Sequence, residues 1–205
     1  MTSYFFSMTL TDLFAAAAFV FVSTVTPGPN NFLVMTSGTQ WGIKPSVKLV
    51  AGILSGFILM NLAVGLGLMR VFEAFPSLIV VIKVASTAYL VYLTWKIATA
   101  KPQVGGETGT ARPMTFVEGA LFQLVNPKAW AMIVTALTVY LDTTSLGSVL
   151  LLAAGFLAVG IPNFTMWLAV GTQIKRLLST ERRARIFNQA MAALLVLSMV
   201  PVLMA

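Results

Sequence analysis

The chain has 205 residues, of which 58% are hydrophobic and 9% charged, and its mean hydropathy is +0.91. A soluble globular domain carries about 25% charged residues, so this composition indicates one membrane domain over residues 1–205. The absence of cysteine and histidine excludes disulfides, thiol chemistry and imidazole–metal ligation. The net charge of +7 comes from basic residues in short gaps between apolar segments, so we predict no nucleic-acid partner.

Six apolar segments are long enough, or nearly so, to cross a bilayer, which takes about 20 residues. They lie near residues 12–36, 47–69, 77–98, 116–140, 147–171 and 187–205. We therefore predict an all-α integral membrane protein of six transmembrane helices, surrounded by membrane lipid. The first basic residue is Lys44, so the segment before the first span lacks the charged start of a cleavable signal peptide.

The first predicted span is interrupted by the sequence TPGPNN at residues 26–31. Two prolines and a glycine cannot continue a regular helix, and unpaired backbone groups survive in a membrane only in protein or beside a wet cavity. The pattern predicts a broken helix that binds a polar substrate; a structural kink satisfied by neighbouring helices is the alternative. The residues assigned to this site are Pro27, Gly28, Pro29, Asn30 and Asn31.

Basic residues are concentrated in the gaps after the first, third and fifth spans. These gaps hold Lys44 and Lys48, then Lys96, Lys101 and Arg112, then Lys175, Arg176, Arg182, Arg183 and Arg185. The opposite gaps hold Arg70 with the acidic Glu73 and Asp142. Because cytoplasmic loops are the ones rich in Lys and Arg, we predict a multi-pass protein of the bacterial inner membrane with both termini on the periplasmic or exterior side.

The longest connector, about residues 99–115, is rich in Gly, Pro and Thr and predicts a flexible linker between two half-repeats, about 1–98 and 116–205. Each half has a proline in its first span, Pro27 and Pro127. Units of three spans must insert with opposite orientation when they follow each other. The pattern thus predicts two inverted three-helix repeats; a coincidence of loop lengths is the alternative.

The fourth predicted span is interrupted by Asn126-Pro127-Lys128. A lysine at the bilayer centre costs about 2.5–3.5 kcal/mol and normally faces a cavity or a partner. We assign Asn126, Pro127 and Lys128 to the substrate site, with Lys128 facing a carboxylate; snorkelling to the interface is the alternative. In the fifth span, Pro162-Asn163 predicts a third break, with Asn163 as a further substrate-binding residue.

Three other features have milder interpretations. Glu118 lies ten residues before Lys128, about 15 Å along a helix, and is predicted to lie at the interface. Lys83 is predicted near the exterior end of its span, and a part in transport stays open for both residues. Gly52 and Gly56 allow close helix approach, either within the bundle or between the subunits of a homodimer.

The combination of these motifs resembles the LysE/RhtB family of amino acid exporters. The resemblance rests on Thr26-Pro27-Gly28-Pro29-Asn30, Gly42, Gly52, Gly56, Lys83, Tyr89-Leu90, Phe116, Gly119 and Asn126-Pro127-Lys128, and it covers nearly the whole chain. The chain departs from the family pattern at Ser86-Thr87, Thr94 and Ala131-Met132. The resemblance implies efflux of amino acids or close derivatives, neutral or basic, by a secondary transporter that uses no ATP.

We therefore expect an amino acid exporter, not an enzyme, with no cofactor and no metal, coupled to inward proton movement. An exporter of metal or other inorganic ions is the alternative, and it would need carboxylates, Cys or His deep in the spans. A membrane enzyme would instead present a cluster of acid–base residues at an interface.

Overall fold

The computed structural model describes residues 9–100, 112–141, 145–178 and 180–198, and these residues form helices and connecting turns. The helices are α1 (Leu10–Val25), α2 (Pro29–Trp41), α3 (Ile43–Ala63), α4 (Met69–Ala74), α5 (Ser77–Ala98), α6 (Phe116–Leu124), α7 (Pro127–Thr135), α8 (Leu146–Leu177) and α9 (Glu181–Leu197). Two short segments, Val64–Leu68 and Ala136–Tyr140, follow α3 and α7 with π-helical hydrogen bonding, and the first is kinked at Gly67, whose φ is 111°.

Up to five membrane spans are present in the described part of the chain, by length and composition. Three single helices qualify: α3 with its π-helical end (26 residues), α5 (22 residues) and α8 (32 residues). Two bent pairs, α1 with α2 and α6 with α7, qualify together. The sixth predicted span, near 187–205, overlaps α9, but its last seven residues lie outside the described ranges, as does most of the predicted 99–115 linker.

The two breaks predicted from proline are present. The axes of α1 and α2 differ by 44°, and those of α6 and α7 differ by 64°. In both pairs a proline, Pro29 or Pro127, occupies the first turn of the second helix, where its missing N–H costs no intrahelical bond. The residue before each proline, Gly28 or Asn126, is extended and ends the preceding geometry. Each bent span therefore consists of two helices, the second of which starts at a proline.

The third predicted break, at Pro162-Asn163, is wrong. Helix α8 runs without interruption from Leu146 to Leu177 and contains Pro162. A lone proline removes a single backbone hydrogen bond, and in this 32-residue helix the turns on either side keep their own hydrogen bonds. The earlier breaks differ because Pro27 and Pro29 surround a glycine, and because Asn126 caps the helix that starts at Pro127.

Glycines bring helix backbones into direct contact inside the bundle. A Cβ added at Gly52 or Gly56 would collide with the backbone carbonyls of Phe116 or Ala120 on α6. On the other side, Gly171 of α8 packs against the Met35 carbonyl of α2. The Gly52 and Gly56 face is therefore occupied by α6 of the same chain, and the close packing that these glycines allow lies within the bundle.

The described parts of the three basic gaps lie at one end of the bundle. Lys175 Nζ donates to the Gln40 carbonyl at 3.2 Å, which joins the end of α8 to the end of α2. Asn188 Nδ2 donates to the Ala100 carbonyl at 3.2 Å, which joins the middle of α9 to the residue two positions after the end of α5. Gly42 is the single residue between α2 and α3, and α3 packs against the start of α6, so the described basic residues of these segments collect on a single side.

Candidate substrate-binding site

The two helix breaks meet in the bundle. Lys128 Nζ, in the first turn of α7, donates to the Thr26 carbonyl at the end of α1 over 2.6 Å. Asn126 Nδ2 donates to Asn30 Oδ1 over 3.1 Å. Residues about a hundred positions apart in the sequence thus contact each other directly.

An amide cluster joins α2 to the end of α6. Asn30 and Gln123 pair reciprocally: Asn30 Nδ2 donates to Gln123 Oε1 at 3.0 Å, and Gln123 Nε2 donates to Asn30 Oδ1 at 3.1 Å. Gln123 is fully buried, and its Nε2 also donates to the Gly119 carbonyl at 3.2 Å. Because the same Asn30 oxygen accepts from Asn126, this cluster uses the hydrogen-bonding groups of Asn30 within the protein.

A second cluster closes the first break. Asn31 Nδ2 donates to the carbonyls of Thr24 and Thr26 at 3.3 and 3.2 Å, so it satisfies acceptors at the end of α1, where the helix is interrupted. Asn31 Oδ1 accepts from Asn163 Nδ2 of α8 at 2.9 Å. These bonds connect the broken span to the unbroken α8. Asn163 is therefore buried because it binds Asn31, and not because α8 is interrupted beside it.

Lys128 is the one charged side chain among the described residues that surround the meeting point of the breaks. Its stem lies over Gly28, where an added Cβ would be 2.7 Å from Lys128 Cδ and 3.1 Å from Nζ. Glycine at position 28 therefore provides the space for the lysine. The backbone there is extended, with φ −166° and ψ −176°, so the requirement is for room and not for an unusual backbone conformation.

A cavity lies between the breaks and the two long helices α3 and α8. Its volume is about 40 Å³, or about 500 Å³ when its mouth and the space between its walls are included. The polar part of the lining comes from the two breaks and from the end of α1, and the remainder is mainly apolar. The lining residues are Ser23, Thr24, Gly28, Asn30, Asn31, Ile53, Leu54, Phe57, Ile58, Asn126, Lys128, Ala129, Met132, Phe156, Gly160 and Phe164.

Five of the residues assigned from the sequence line this cavity: Gly28, Asn30, Asn31, Asn126 and Lys128. Pro27, Pro29 and Pro127 lie at the breaks beside it. Asn163 is not a lining residue, but it donates a hydrogen bond to Asn31, which is one. Sequence reasoning did not assign Gln123, Ser23 and Thr24. Gln123 could have been found as a buried polar residue one helical turn before Asn126, whereas Thr24 carries no signal that separates it from other threonines in spans.

The charged residues left open by the sequence lie elsewhere. Glu118 accepts from both terminal nitrogens of Arg112, at 2.7 and 2.9 Å, and also caps the start of α6 with Thr115. Lys83 is on the exposed face of α5. Over the described ranges, no group of three or more Asp, Glu, His or Cys residues could hold a metal ion.

Apolar helices of membrane-spanning length, two of them broken so that their interrupted ends surround a small cavity, define a membrane translocator. The LysE type translocator family matches residues 21–204, and the chain belongs to this family. The expectation from the sequence motifs is thereby confirmed.

Curated relatives match over nearly their full length. The chain is 32% identical over 193 residues to the cysteine/O-acetylserine efflux proteins of Escherichia coli (strain K12) and Shigella sonnei (strain Ss046), covering 92% of this chain and 96% of each relative. It is 30% identical over 191 residues to the protein of the same name from Klebsiella pneumoniae, covering 92% of this chain and 95% of the relative. No solved structure matches the chain significantly.

Proposed function

We propose that this protein exports small amino acids or their close derivatives, such as cysteine and O-acetylserine, across the bacterial inner membrane. The observation that carries the proposal is the position of Lys128 Nζ, in a mid-bundle cavity and bonded to a backbone carbonyl of the other broken span. The names of the relatives supply the substrate class, and the family supplies translocation.

Lys128 binds the carboxylate of the substrate in this proposal. A lysine inside a span is costly unless it faces a cavity or a partner, and here its partner is an uncharged carbonyl. A carboxylate offers the ammonium a better partner than a carbonyl because it brings an opposite charge to the same hydrogen bond. Asn30 and Asn126 join the two breaks through their side-chain hydrogen bond, and both residues line the cavity.

The size of the cavity favours a small substrate. The enclosed part of the cavity, about 40 Å³, is large enough to hold water. A small amino acid needs only flexible lining residues such as Met132 and Leu54 to move, whereas a large aromatic amino acid needs rearrangement of whole helices. Rocking of one inverted three-helix half against the other would then expose the cavity to each side in turn.

Orientation and driving force complete the proposal. The basic end of the bundle faces the cytoplasm, because translocation of cations against the membrane potential is unfavourable. Outward movement of an amino acid against its gradient requires energy, and proton antiport is its simplest source in a chain whose sequence has no phosphate-binding glycine loop. Export of an inorganic cation fits less well, because the charge at the cavity is itself positive.

Transport by purified protein in proteoliposomes tests the proposal. Vesicles loaded with unlabelled cysteine should accumulate labelled cysteine from outside, and a reducing agent can be present because the chain has no cysteine of its own. Lys128→Met should slow this exchange far below the wild-type rate while leaving a measurable residual rate, and Lys83→Met, the same change on an exposed face of α5, should leave it intact. Exchange at the wild-type rate in Lys128→Met would contradict the site, and wild-type protein without exchange would contradict the function.

An imposed proton gradient tests the coupling separately. Acidification of the external medium should accelerate cysteine release from loaded wild-type vesicles oriented with the basic end inside. Equal release rates with and without the gradient would leave exchange in place but overturn proton antiport.

A further inference from the structure

The two helices that start at the breaks differ at their N-termini. In α7 the side chain of Asn126 caps the helix, with Oδ1 accepting from Lys128 N at 3.1 Å. In α2 the cap position is Gly28, and no side chain of the described residues caps the helix. The first backbone hydrogen bond of α2 runs from Phe32 N to the Gly28 carbonyl at 3.0 Å. The backbone N–H groups of Asn30 and Asn31 come before it and have no acceptor within the helix.

The uncapped N-terminus of α2 opens onto the cavity. Gly28, Asn30 and Asn31 are all lining residues. Helix N-termini carry unpaired N–H groups and the positive end of the helix dipole, and both favour an anion. In broken transporter helices such half-helix ends point at anionic groups of the substrate.

A second, independent feature of the same cavity is the hydroxyl of Thr24. The residue is 9% exposed and lines the cavity, and its Oγ1 is buried without a hydrogen-bond partner among the described residues. A buried hydroxyl without a partner costs free energy that a ligand would recover. Because a hydroxyl is able to donate a hydrogen bond, Thr24 adds a further donor to those at the start of α2 and to the ammonium of Lys128.

We propose that Thr24, the N-terminal amides of α2 and Lys128 together form a carboxylate subsite, and that this pocket rejects substrates with a cationic side chain. The inference rests on the proposed export function and narrows its substrate class. The rest of the lining is Ser23, the amide side chains, Gly160 and apolar residues, and it includes no carboxylate.

The charge balance of the pocket explains the selection. The carboxylate of a neutral amino acid finds three kinds of donor among the lining residues, and its side chain meets the apolar wall that includes Phe57 and Phe156. A neutral amino acid is a zwitterion and brings no net charge, whereas lysine or arginine adds a net positive charge beside Lys128 that no group of the lining balances. Removing such a charge from water costs several kcal/mol, so these amino acids are excluded.

Competition in the cysteine exchange assay tests the selection. Unlabelled serine should inhibit the entry of labelled cysteine, and lysine should need a concentration about 100-fold higher. Ser23→Asp, which adds a carboxylate to the lining, should increase inhibition by lysine at least tenfold, whereas the uncharged Ser23→Asn of the same size should not. Equal inhibition by serine and lysine in the wild type, or equal effects of the two variants, would overturn the inference while export itself stands.

Thr24 needs its own test. Thr24→Val keeps the shape but removes the hydroxyl, and should raise the half-saturating cysteine concentration about tenfold with an unchanged melting temperature; Thr24→Ser should restore it. An unchanged half-saturating concentration in Thr24→Val would remove Thr24 from the subsite. Wild-type protein that exchanges no cysteine would overturn the export function, and the inference with it.

Discussion

Asn30 and Gln123 exchange two amide hydrogen bonds, of 3.0 and 3.1 Å, between the second half of one broken span and the first half of the other. They are 93 positions apart in the chain, and Gln123 is fully buried. Reciprocal amide pairs are geometrically demanding because both planes must align. This pair therefore fixes the distance and the rotation between the two breaks that border the cavity.

Replacement of Gln123 by leucine should destabilise the fold. It removes both bonds to Asn30 and the bond to the Gly119 carbonyl, and it leaves the part-buried Asn30 Nδ2 without its partner, while Asn30 Oδ1 keeps its bond from Asn126. The expected cost is about 2 kcal/mol, which lowers the melting temperature by about 4–8 °C in a chain of this size. Thermal unfolding of the purified protein in detergent measures this change.

A double-mutant cycle isolates the pair from general loss of packing. Asn30→Leu should also destabilise, but the double variant Asn30→Leu/Gln123→Leu should cost less than the two single changes together, because the second change removes a group already unpaired. Strict additivity of the two melting-temperature changes would show that the side chains act independently and would contradict the pairing.

Substitution of Gly28 by alanine should impair transport without unfolding the protein. The added methyl would lie 2.7 Å from Lys128 Cδ, so the lysine stem must move away from the Thr26 carbonyl. Because Gly28 has an extended backbone that alanine adopts freely, stability should change by less than about 1 kcal/mol. We expect cysteine exchange at least tenfold slower.

Lys128→Met provides the comparison for Gly28→Ala. If the glycine acts only through the lysine, the double variant should be no slower than Lys128→Met alone. A further loss in the double variant would show that Gly28 has a role independent of the lysine, such as direct contact between its backbone and the substrate.

Substitution of Gly52 by alanine should separate α3 from α6. A Cβ at this position collides with the Phe116 carbonyl, and the obstacle is backbone that cannot rotate away. Overpacking of this kind costs about 1–3 kcal/mol. Gly155→Ala is the control, since its nearest neighbour, Val20 Cγ1, would be 3.9 Å away and the helix gains propensity. Equal melting temperatures for the two variants would contradict the close α3–α6 contact.

The breaks of the fold follow from the sequence because proline acts locally. At residues 27–29 two prolines surround a glycine, and at Pro127 the preceding Asn126 caps the new helix, so both bends were predictable from the local sequence. The Pro162 break was wrong because a single proline removes only one bond, and whether the helix then bends depends on its neighbours. The sequence alone contains no information about those neighbours.

The candidate site was predictable only in part, for a related reason. Asn30, Asn31 and Asn126 are conspicuous because asparagine is costly in an apolar span, and they do lie at the breaks. Their partners are not visible in the sequence, since Gln123 and Asn163 meet them across 93 and 132 positions. The free hydroxyl of Thr24 depends on which carbonyls its neighbours already occupy, and only coordinates show that.

Neutralisation of Glu118 should leave transport almost unchanged. The carboxylate is paired with Arg112 and with the cap of α6, and it does not line the cavity. Glu118→Gln therefore loses a largely exposed ion pair, which contributes about 0–1 kcal/mol. Cysteine exchange should stay within about twofold of the wild type. Normal exchange combined with loss of proton-driven release would instead identify Glu118 as the proton carrier.

Labelling of single introduced cysteines should determine the orientation of the bundle against an empty background, because the natural chain contains none. Lys44 at the start of α3 and Glu73 in α4 are both exposed, and α3 with its π-helical end lies between them as a span. A membrane-impermeant maleimide added to intact cells should modify Glu73→Cys but not Lys44→Cys, and inverted vesicles should give the opposite result. Arg182→Cys should follow Lys44→Cys, since contacts of Lys175 and Asn188 hold the basic gaps at one end. Labelling of Lys44→Cys from outside would reverse the proposed direction of the bundle, and labelling of Lys44→Cys and Arg182→Cys from opposite sides would separate the basic gaps themselves.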